Sequence, residues 1–382
     1  MPYPDVSVYD IQDVDKIASP GIVVFRELLE HNLKEMVRIA GGSHRLRPHC
    51  KTHKTREIIQ MEIELGITRH KCATIAEAEM LAAVGVEDVL LAYQMVGPNL
   101  ERLVKLIDKY PGTKFACLVD CPTAVDELSK AVVAGNPDRT VEVLLDLNPG
   151  MNRTGISIGQ DAIELYEMIL SAEGLELGGL HWYDGHHRQP DLDERTGMVM
   201  SGWSRLIRFR DQLLLNGLAV PRIVTAGTGS FPILAETGEP NLELSPGTTV
   251  FHDDDMLTRF PEMSFIPALG ILTRVVSCNR KNHLTLDVGH KSCAADQPFG
   301  RRLAFPELGT FEHGDFEEVM HSEEHLVIAT PHAQRYKLGD TLVAIPRHAC
   351  PVSAVHQFAS VISGGRLIGQ WQIVARDRMI TV

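Results

Sequence analysis

The sequence predicts an α/β fold in which a TIM (β/α)8 barrel is followed by a mostly-β domain. Across residues 20–260, eight short apolar runs alternate with longer stretches of helical spacing, which is the pattern of parallel βα units. Eight such units in roughly 250 residues match a TIM barrel in size. After residue 260 the helical spacing fades, and strand-like runs separated by Gly and Pro replace it.

The predicted barrel strands are short and apolar, and most of them contain β-branched residues. They are Gly21–Phe25, Leu46–Cys50, His70–Ala73, Asp88–Ala92, Lys114–Val119, Glu142–Leu147, Gly178–His181 and Arg222–Thr225. The helices predicted between them are Glu27–Ala40, Lys54–Leu65, Ile75–Val84, Leu100–Lys109, Ala124–Ala134, Gln160–Ala172 and Thr196–Asn216. A doubly wound open sheet is the alternative, but no G-x-G-x-x-G fingerprint follows the first strand, which weighs against dinucleotide binding.

These patterns divide the chain into three regions. We expect residues 1–18 to form an N-terminal segment that packs on the β domain, residues 19–260 to form the barrel, and residues 261–382 to form the β domain. The strands predicted in the last region are Ile271–Val276, His283–Val288, His325–Ala329, Thr341–Ile345 and Gln372–Ala375.

Composition and charge exclude several kinds of partner. The 382 residues carry a net charge of −13, which argues against a nucleic acid or an anionic membrane as partner. No apolar run reaches the roughly 20 residues that span a bilayer, so we expect no membrane-spanning segment. Seven scattered cysteines, an odd number, indicate free thiols in a reducing cytoplasm rather than a disulfide framework.

A basic run near the N-terminus, residues 47–54 (RPHCKTHK), places Lys51 at the end of a predicted strand. Nearby positive charge and burial both lower the pKa of a lysine. A lysine amine that is uncharged near neutral pH can form a Schiff base with an aldehyde, and pyridoxal phosphate (PLP) is such a partner. Basic runs also bind phosphate or lie on a surface, so the run alone leaves these alternatives open.

Polar clusters follow four of the predicted strands. Because active sites of TIM barrels lie at the C-terminal ends of the strands, we expect these clusters to converge. Their members are His49 and Lys51; Asp146, Asn148, Asn152 and Arg153; His181, Tyr183, Asp184 and His186; and Gly227, Thr228, Gly229 and Ser230. The last four form a glycine-rich turn whose N–H groups could bind an anion, or which could be a plain tight turn.

The pair His348 and Cys350 lies in the predicted β domain. Alternate residues of an extended segment face the same side, so this imidazole and thiolate could bind one metal and leave positions for substrate. Such a donor pair favours zinc over magnesium or calcium. A buried cysteine beside a surface histidine is the alternative.

Taken together, these segments resemble the D-threonine aldolase and D-serine dehydratase family, the metal-dependent branch of fold-type III PLP enzymes. Residues 47–54 are similar to its RPHxKTHK run, and residues 146–155 (DLNPGMNRTG) to its D-x-G-x-x-R-x-G segment. The turn at 227–230 matches its phosphate turn, while residues 322–325 (SEEH) and the His348-x-Cys350 pair match its C-terminal domain. The likeness implies an alanine racemase-like barrel with a C-terminal β domain.

The resemblance also implies a role for each candidate residue. Lys51 would hold PLP as a Schiff base, with His49 and Arg153 beside the cofactor. The phosphate would lie against Gly227, Thr228, Gly229 and Ser230, and the divalent metal on His348 and Cys350 would be zinc, with manganese or magnesium as alternatives. Tyr183 and His186 would line the substrate pocket as catalytic candidates. The family implies a homodimer that acts on a small D-amino acid.

Two reactions fit this set of residues. We expect retro-aldol cleavage of a D-β-hydroxy-α-amino acid to glycine and an aldehyde, as in D-threonine aldolase. The alternative is a D-serine or D-3-hydroxyaspartate dehydratase, which releases ammonia and an oxo acid and which the His-x-Cys pair favours. A racemase needs no metal, and a non-catalytic PLP carrier is shorter, so both readings leave His348 and Cys350 unexplained.

Overall fold

The computed structural model describes residues 3, 5–135, 137–309 and 315–382. Sixteen strands lie in the described residues: β1 Gly21–Phe25, β2 Arg69–Cys72, β3 Asp88–Leu91, β4 Lys114–Val119, β5 Val141–Asp146, β6 Leu175–Trp182, β7 Ile223–Thr225, β8 Leu242–Leu244, β9 Leu269–Ser277, β10 His283–Leu286, β11 Leu303–Ala304, β12 Glu317–His321, β13 Leu326–Ala329, β14 Thr341–Pro346, β15 Phe358–Ser363 and β16 Arg366–Gln372.

Eleven α-helices lie in the same described residues. They are α1 Arg26–Ala40, α2 Arg56–Glu64, α3 Ile75–Val84, α4 Pro98–Lys109, α5 Pro122–Gly135, α6 Gln160–Ser171, α7 Leu192–Leu215, α8 Phe231–Ala235, α9 Asp254–Arg259, α10 His290–Cys293 and α11 Ala349–Val355. None of these helices is long and apolar enough to cross a membrane. Helix α3 shows why several bounds were predictable, because Thr74 accepts the Glu77 N–H at its start and Gly85 ends it with φ of 98°.

The chain divides into two compact units, which we call the β unit and the barrel unit. The β unit comprises Met1–Glu35, Thr52–Thr55 and Thr248–Arg376, and the barrel unit comprises Met36–Lys51, Arg56–Gly247 and Asp377–Val382. The domain boundaries expected at residues 18 and 260 stay predictions.

The barrel unit is built on a parallel sheet in the order β2-β3-β4-β5-β6-β7-β8. The segment 46–49 joins its two edges, because Leu46 bridges Leu244 on β8 and His49 bridges Lys71 on β2, both in parallel. The sheet therefore closes on itself, with this segment in the place of an eighth strand. Its interior contains a buried apolar layer made of Leu90, Ala116, Leu118, Leu144 and Val224.

Buried ion pairs lie at the N-terminal ends of the barrel strands. The Arg47 guanidinium is wholly buried and donates to both oxygens of Asp88, each at 2.8 Å, and to Glu243. Arg69 donates to the other oxygen of Glu243. Burial alone would raise the pKa values of Asp88 and Glu243, but Arg47 outweighs it and holds both below their usual range.

The β unit contains a nine-stranded sheet whose main path is β12-β13-β10-β9-β1-β15-β16, with β14 paired to both β9 and β11. Its apolar core includes residues from the N-terminal segment, from β1 and from the late strands. These residues are Tyr9, Ile17, Val23, Phe25, Leu272, Val343, Ile345 and Ile362.

The barrel prediction was wrong about its first strand and missed the strand Leu242–Leu244, although the fold class is confirmed. Gly21–Phe25 lies in the β unit, where it pairs antiparallel with β9 and parallel with β15. Its GIVVF sequence is apolar and β-branched, so periodicity alone cannot tell a barrel strand from a strand of the second sheet. The missed strand β8 has only three residues with Glu243 at the centre, which hides its buried character.

In the late part of the chain, four predicted strands are confirmed and one is wrong. Strands β9, β10, β13 and β14 overlap the predicted runs, whereas the segment predicted as Gln372–Ala375 begins at the last residue of β16 and continues into the 3-10 helix Val374–Arg376. Strands β15 and β16 form a hairpin that the sequence analysis did not identify.

We predict that Arg47→Met destabilises the protein by about 3–5 kcal/mol, because Asp88 loses both hydrogen bonds from Arg47 and the buried Glu243 keeps only the pair with Arg69. Denaturant unfolding followed by circular dichroism measures this change. The control is Glu101→Ala, which breaks the exposed pair of Glu101 with Lys105 and should leave the midpoint unchanged. An Arg47→Met protein that unfolds at the wild-type midpoint would contradict the structural importance of the network.

Candidate active site

A cavity of about 480 Å³ lies at the C-terminal ends of the barrel strands, within the barrel unit. Residues from five consecutive strand ends and from the segment after residue 48 line it. They are His49, Lys51, Lys71, Ala73, Ala92, Tyr93, Gln94, Val96, Leu118, Val119, Asp120, Asp146, Arg153, Thr154, His181 and Tyr183. Four of the predicted site residues, His49, Lys51, Arg153 and Tyr183, are therefore brought together here.

Three basic side chains surround the ring of Tyr183. The Lys71 Nζ lies 5.6 Å from the ring centroid, the Lys51 Nζ 5.9 Å, and the Arg153 guanidinium carbon 4.9 Å. Each distance is within the range of a cation–π contact. This group of basic side chains suits an anionic ligand, and Lys51 is the middle residue of the 3-10 turn Cys50–Thr52 that follows the 46–49 segment.

A buried chain of polar groups forms the inner wall of the cavity. His181 Nδ1 lies 2.7 Å from an Asp146 carboxylate oxygen, and His181 Nε2 lies 3.2 Å from Lys71 Nζ. Burial and the neighbouring Lys71 lower the pKa of His181. Burial alone would raise the pKa of Asp146, but His181 outweighs it and holds that pKa below its usual range.

The turn at 227–230 follows β7 and is held from behind by Asp184. One Asp184 carboxylate oxygen accepts the Gly227 N–H at 3.0 Å and the Ser230 hydroxyl at 2.7 Å. The N–H groups of Thr228 and Gly229 donate to no acceptor in the described part of the chain, so they are available to an anion. The turn lies next to Tyr183, because a Cβ on Gly227 would be 3.4 Å from that ring.

His186 is placed differently from the other predicted catalytic residues. It is not among the residues that line the cavity, and its ring lies against His187 with centroids 4.1 Å apart. Its Nε2 is close to the 148–155 loop, since a Cβ on Gly150 would be 3.8 Å away. The catalytic role expected for His186 stays a prediction.

The predicted metal pair lies in the β unit. His348 Nδ1 is 2.6 Å from an Asp296 carboxylate oxygen, and Cys350 Sγ is 3.3 Å from the Thr52 hydroxyl. Burial alone would lower the pKa of His348, but hydrogen bonds to Cys350 and Asp296 outweigh it and raise that pKa to about 9. The Ala349 N–H between them donates to Asp253 at 2.9 Å.

Another group of metal-ligating side chains lies in the barrel unit. Across the described residues, His49, Cys50 and Glu77 are the one trio whose ligand atoms all lie within 4.8 Å of one another. Glu77 already accepts the Ala73 N–H at 2.7 Å, next to the first turn of α3. This contact gives Glu77 a structural role in holding the start of the helix.

The family assignment follows from sequence comparison. Residues 26–253 match the family model described as the alanine racemase N-terminal domain, and residues 268–362 match a serine dehydratase domain. The chain belongs to the D-threonine aldolase and D-serine dehydratase branch of this family. It is therefore a PLP-dependent lyase of D-amino acids with an alanine racemase-like fold, as the sequence predicted.

Both aldolases and dehydratases of this family are similar to the chain over nearly its whole length. A D-threonine aldolase from Arthrobacter sp is 28% identical over 366 residues, covering 94% of this chain and 93% of that protein. A D-threo-3-hydroxyaspartate dehydratase from Delftia sp. (strain HT23) is 24% identical over 374 residues, covering 93% and 96%. The crystal structure of D-threonine aldolase from Filomicrobium marinum superposes with a TM-score of 0.86 at 28% identity, covering 96% of this chain and 97% of that one.

The residues present at the cavity fit the PLP cofactor of the family. Lys51 offers an amine to the aldehyde, Arg153 offers a cation, and the free N–H groups of Thr228 and Gly229 offer a cradle for a phosphate. Sequence reasoning missed two residues that contribute here. Lys71 was visible only as a charge inside a buried strand, and Asp184 was noted without its contact to the turn.

We predict that Asp184→Ala lowers the affinity for PLP by about 10-fold or more, because the turn loses two charge-assisted hydrogen bonds. Absorbance titration of the apoprotein with PLP measures the change. Asp184→Asn keeps an acceptor oxygen and should recover part of the affinity, and Asp161→Asn on the exposed start of α6 serves as the control. Wild-type affinity in Asp184→Ala would mean that the turn does not hold the phosphate.

Proposed function

We propose that the protein cleaves D-β-hydroxy-α-amino acids to glycine and an aldehyde, as D-threonine aldolase does. The observation that carries the proposal is the cavity in which the Lys51 amine lies with Arg153 around the Tyr183 ring. Likeness over almost the entire chain to a D-threonine aldolase supports the choice of reaction.

Different residues of the barrel unit would hold different parts of the ligand. PLP bound to Lys51 would supply an electron sink for the electrons left at Cα when a bond breaks there. Arg153 would fix the orientation of the ring, Tyr183 would pack against the bound ligand, and the turn at 227–230 would hold the phosphate. His49, whose Nδ1 accepts the Lys51 N–H at 3.2 Å, keeps the segment that carries the amine in place.

The metal belongs to this proposal as a second cofactor. An imidazole and a thiolate two residues apart suit zinc, with manganese or magnesium as alternatives. His348 Nδ1 contacts Asp296, and this contact would orient the ring so that Nε2 could bind the ion, as is usual for metal-binding histidines. A metal held by His348 and Cys350 would supply Lewis acidity for the β-hydroxyl of the substrate.

A D-β-hydroxy amino acid dehydratase is the second candidate function. Cys350 in the metal pair favours it, and the Delftia relative carries that activity in its name. Both reactions would use the same cofactor, and they differ in the proton that is removed first. Removal of the hydroxyl proton leads to the aldehyde, whereas removal of the Cα proton leads to loss of the hydroxyl.

Product analysis decides between the two reactions. We expect the protein, supplied with PLP and Zn²⁺ or Mn²⁺, to convert D-threonine into glycine and acetaldehyde in equal amounts, measured by chromatography and an aldehyde assay. Ammonia and 2-oxobutyrate in place of these products would establish the dehydratase. The absence of all four products from D-threonine, together with the absence of glyoxylate and of oxaloacetate from D-3-hydroxyaspartate, would contradict the proposed lyase activity on these substrates.

The same assay tests the metal. Exhaustive chelation or Cys350→Ala should abolish product formation and remove the bound ion, measured by elemental analysis, while the visible absorbance of bound PLP persists. Cys278→Ala is the matched control, because Cys278 is an exposed free thiol outside the predicted metal pair. Full activity after chelation would contradict the metal assignment. The homodimer stays a prediction that light scattering checks.

A further inference from the structure

We propose that Lys71 is a second acid–base amine of the cavity, held by the Asp146–His181 pair, and that it exchanges a proton with the ligand bound at Lys51. This inference rests on the proposed function, because it needs a ligand in the cavity. It adds a residue that the sequence motifs did not single out. Lys71 is the third residue of strand β2, and it is 2% exposed.

The hydrogen-bond chain fixes the state of His181. Asp146 is a carboxylate that can only accept, so the 2.7 Å contact places the proton of neutral His181 on Nδ1. Nε2 is then a lone pair, and it accepts a hydrogen from Lys71 Nζ at 3.2 Å. One N–H bond of the Lys71 amine thus points to His181. The other hydrogens or the lone pair of Nζ can contact a ligand in the cavity that Lys71 lines.

The charges that act on Lys71 come from the 46–51 segment and from the ends of β5 and β6. Burial lowers the pKa of Lys71 first, followed by Lys51, while Asp146 opposes the shift; Arg47 lowers the pKa further and Asp184 raises it. The resulting pKa is about 7. Arg153 lowers the pKa of the neighbouring His181. Lys71 can therefore gain or lose a proton near neutral pH, which is what a general base requires.

The two lysines of the cavity can divide the chemistry between them. A substrate amine that replaces Lys51 at the cofactor aldehyde would release Lys51 as an amine, and Lys71 would then be a second amine in the same cavity. Retro-aldol cleavage removes one proton from the β-hydroxyl and adds one to Cα, and the bond between Cα and Cβ breaks. A single free amine that takes the first proton and returns it to Cα closes this balance without another reactant.

Asp146 and His181 support both states of the amine. When Lys71 takes a proton, the ammonium keeps its hydrogen bond to His181 Nε2, and the Asp146 carboxylate offsets the added charge. When it releases the proton, the same bond holds Nζ in place. If Lys71 had a purely structural role, it would stay positively charged and balance the carboxylates of Asp146 and Asp184.

The pH dependence of the PLP-loaded enzyme tests the proposal. For wild type, kcat/KM with D-threonine should rise with pH through an acid limb near pH 7, because the free amine is the active form. Lys71→Met and Lys71→Arg should each lower kcat/KM by about 100-fold or more and lose the limb, while PLP still binds. The exposed Lys130→Met is the control and should keep the wild-type profile.

Lys71→Arg separates the acid–base role from a charge role. It keeps the positive charge but does not lose its proton in this pH range. Wild-type rate and pH profile in Lys71→Arg would overturn the proposal. The absence of an acid limb between about pH 6 and about pH 8 in wild type would also overturn it, and that measurement needs no variant to fold.

A spectroscopic measurement distinguishes failure of the proposal for Lys71 from failure of the proposed function. The visible band of bound PLP in wild type should change with pH through a transition near 7 that is absent from Lys71→Arg and Lys71→Met. An identical transition in all three proteins would overturn the role of Lys71. If wild type forms no visible band with PLP, or if Lys51→Ala keeps that band, the proposed function itself fails.

Discussion

The ion pairs between Arg47 and its two carboxylates are the interaction on which the barrel depends. The guanidinium is wholly buried and connects the 46–49 segment to Asp88 on β3 and to Glu243 on β8. An unpaired buried charge costs several kcal/mol, so the segment stays between β2 and β8 only while both partners are present. Lys51 follows four residues later, and the same constraint therefore fixes where its amine enters the cavity.

The two ends of the barrel use charge in opposite ways. At the N-terminal ends of the strands, Arg47, Arg69 and Arg222 pair with carboxylates that lie on other strands of the barrel. At the C-terminal ends, Lys51, Lys71 and Arg153 gather around one aromatic ring, with Asp146 committed to His181. The arginines at the N-terminal ends of the strands are thus paired with carboxylates, whereas the basic groups at the C-terminal ends can bind a ligand. Barrels of this type bind their substrates at the C-terminal ends.

Much of the fold was predictable because local signals agreed with the final structure. Helix α3 was predicted with its observed bounds, since Thr74 and Gly85 mark its ends in the sequence. Strand β1 was assigned to the wrong sheet because a buried apolar run carries no information about its partner strands. Strand β8 was missed because Glu243, which pairs with Arg47, breaks its apolar pattern.

The site was predictable where it depends on strand ends and not where it depends on distant contacts. His49, Lys51, Arg153 and Tyr183 meet because parallel strands finish at one edge. The partner of His348 could not be found in this way, since Asp296 lies 52 residues earlier in a loop without a motif. Lys71 was not identified because it lies inside a predicted strand, and a single charged residue there is also typical of a strand at the exposed edge of a sheet.

The most direct test of the account is to identify the lysine that carries the cofactor. The PLP-loaded protein would be reduced with borohydride, digested, and analysed by mass spectrometry for pyridoxyl-lysine. The account predicts the modification on Lys51, with Lys71 unmodified. Modification of Lys71, or of neither lysine, would contradict the assignment of the cavity as a PLP site centred on Lys51.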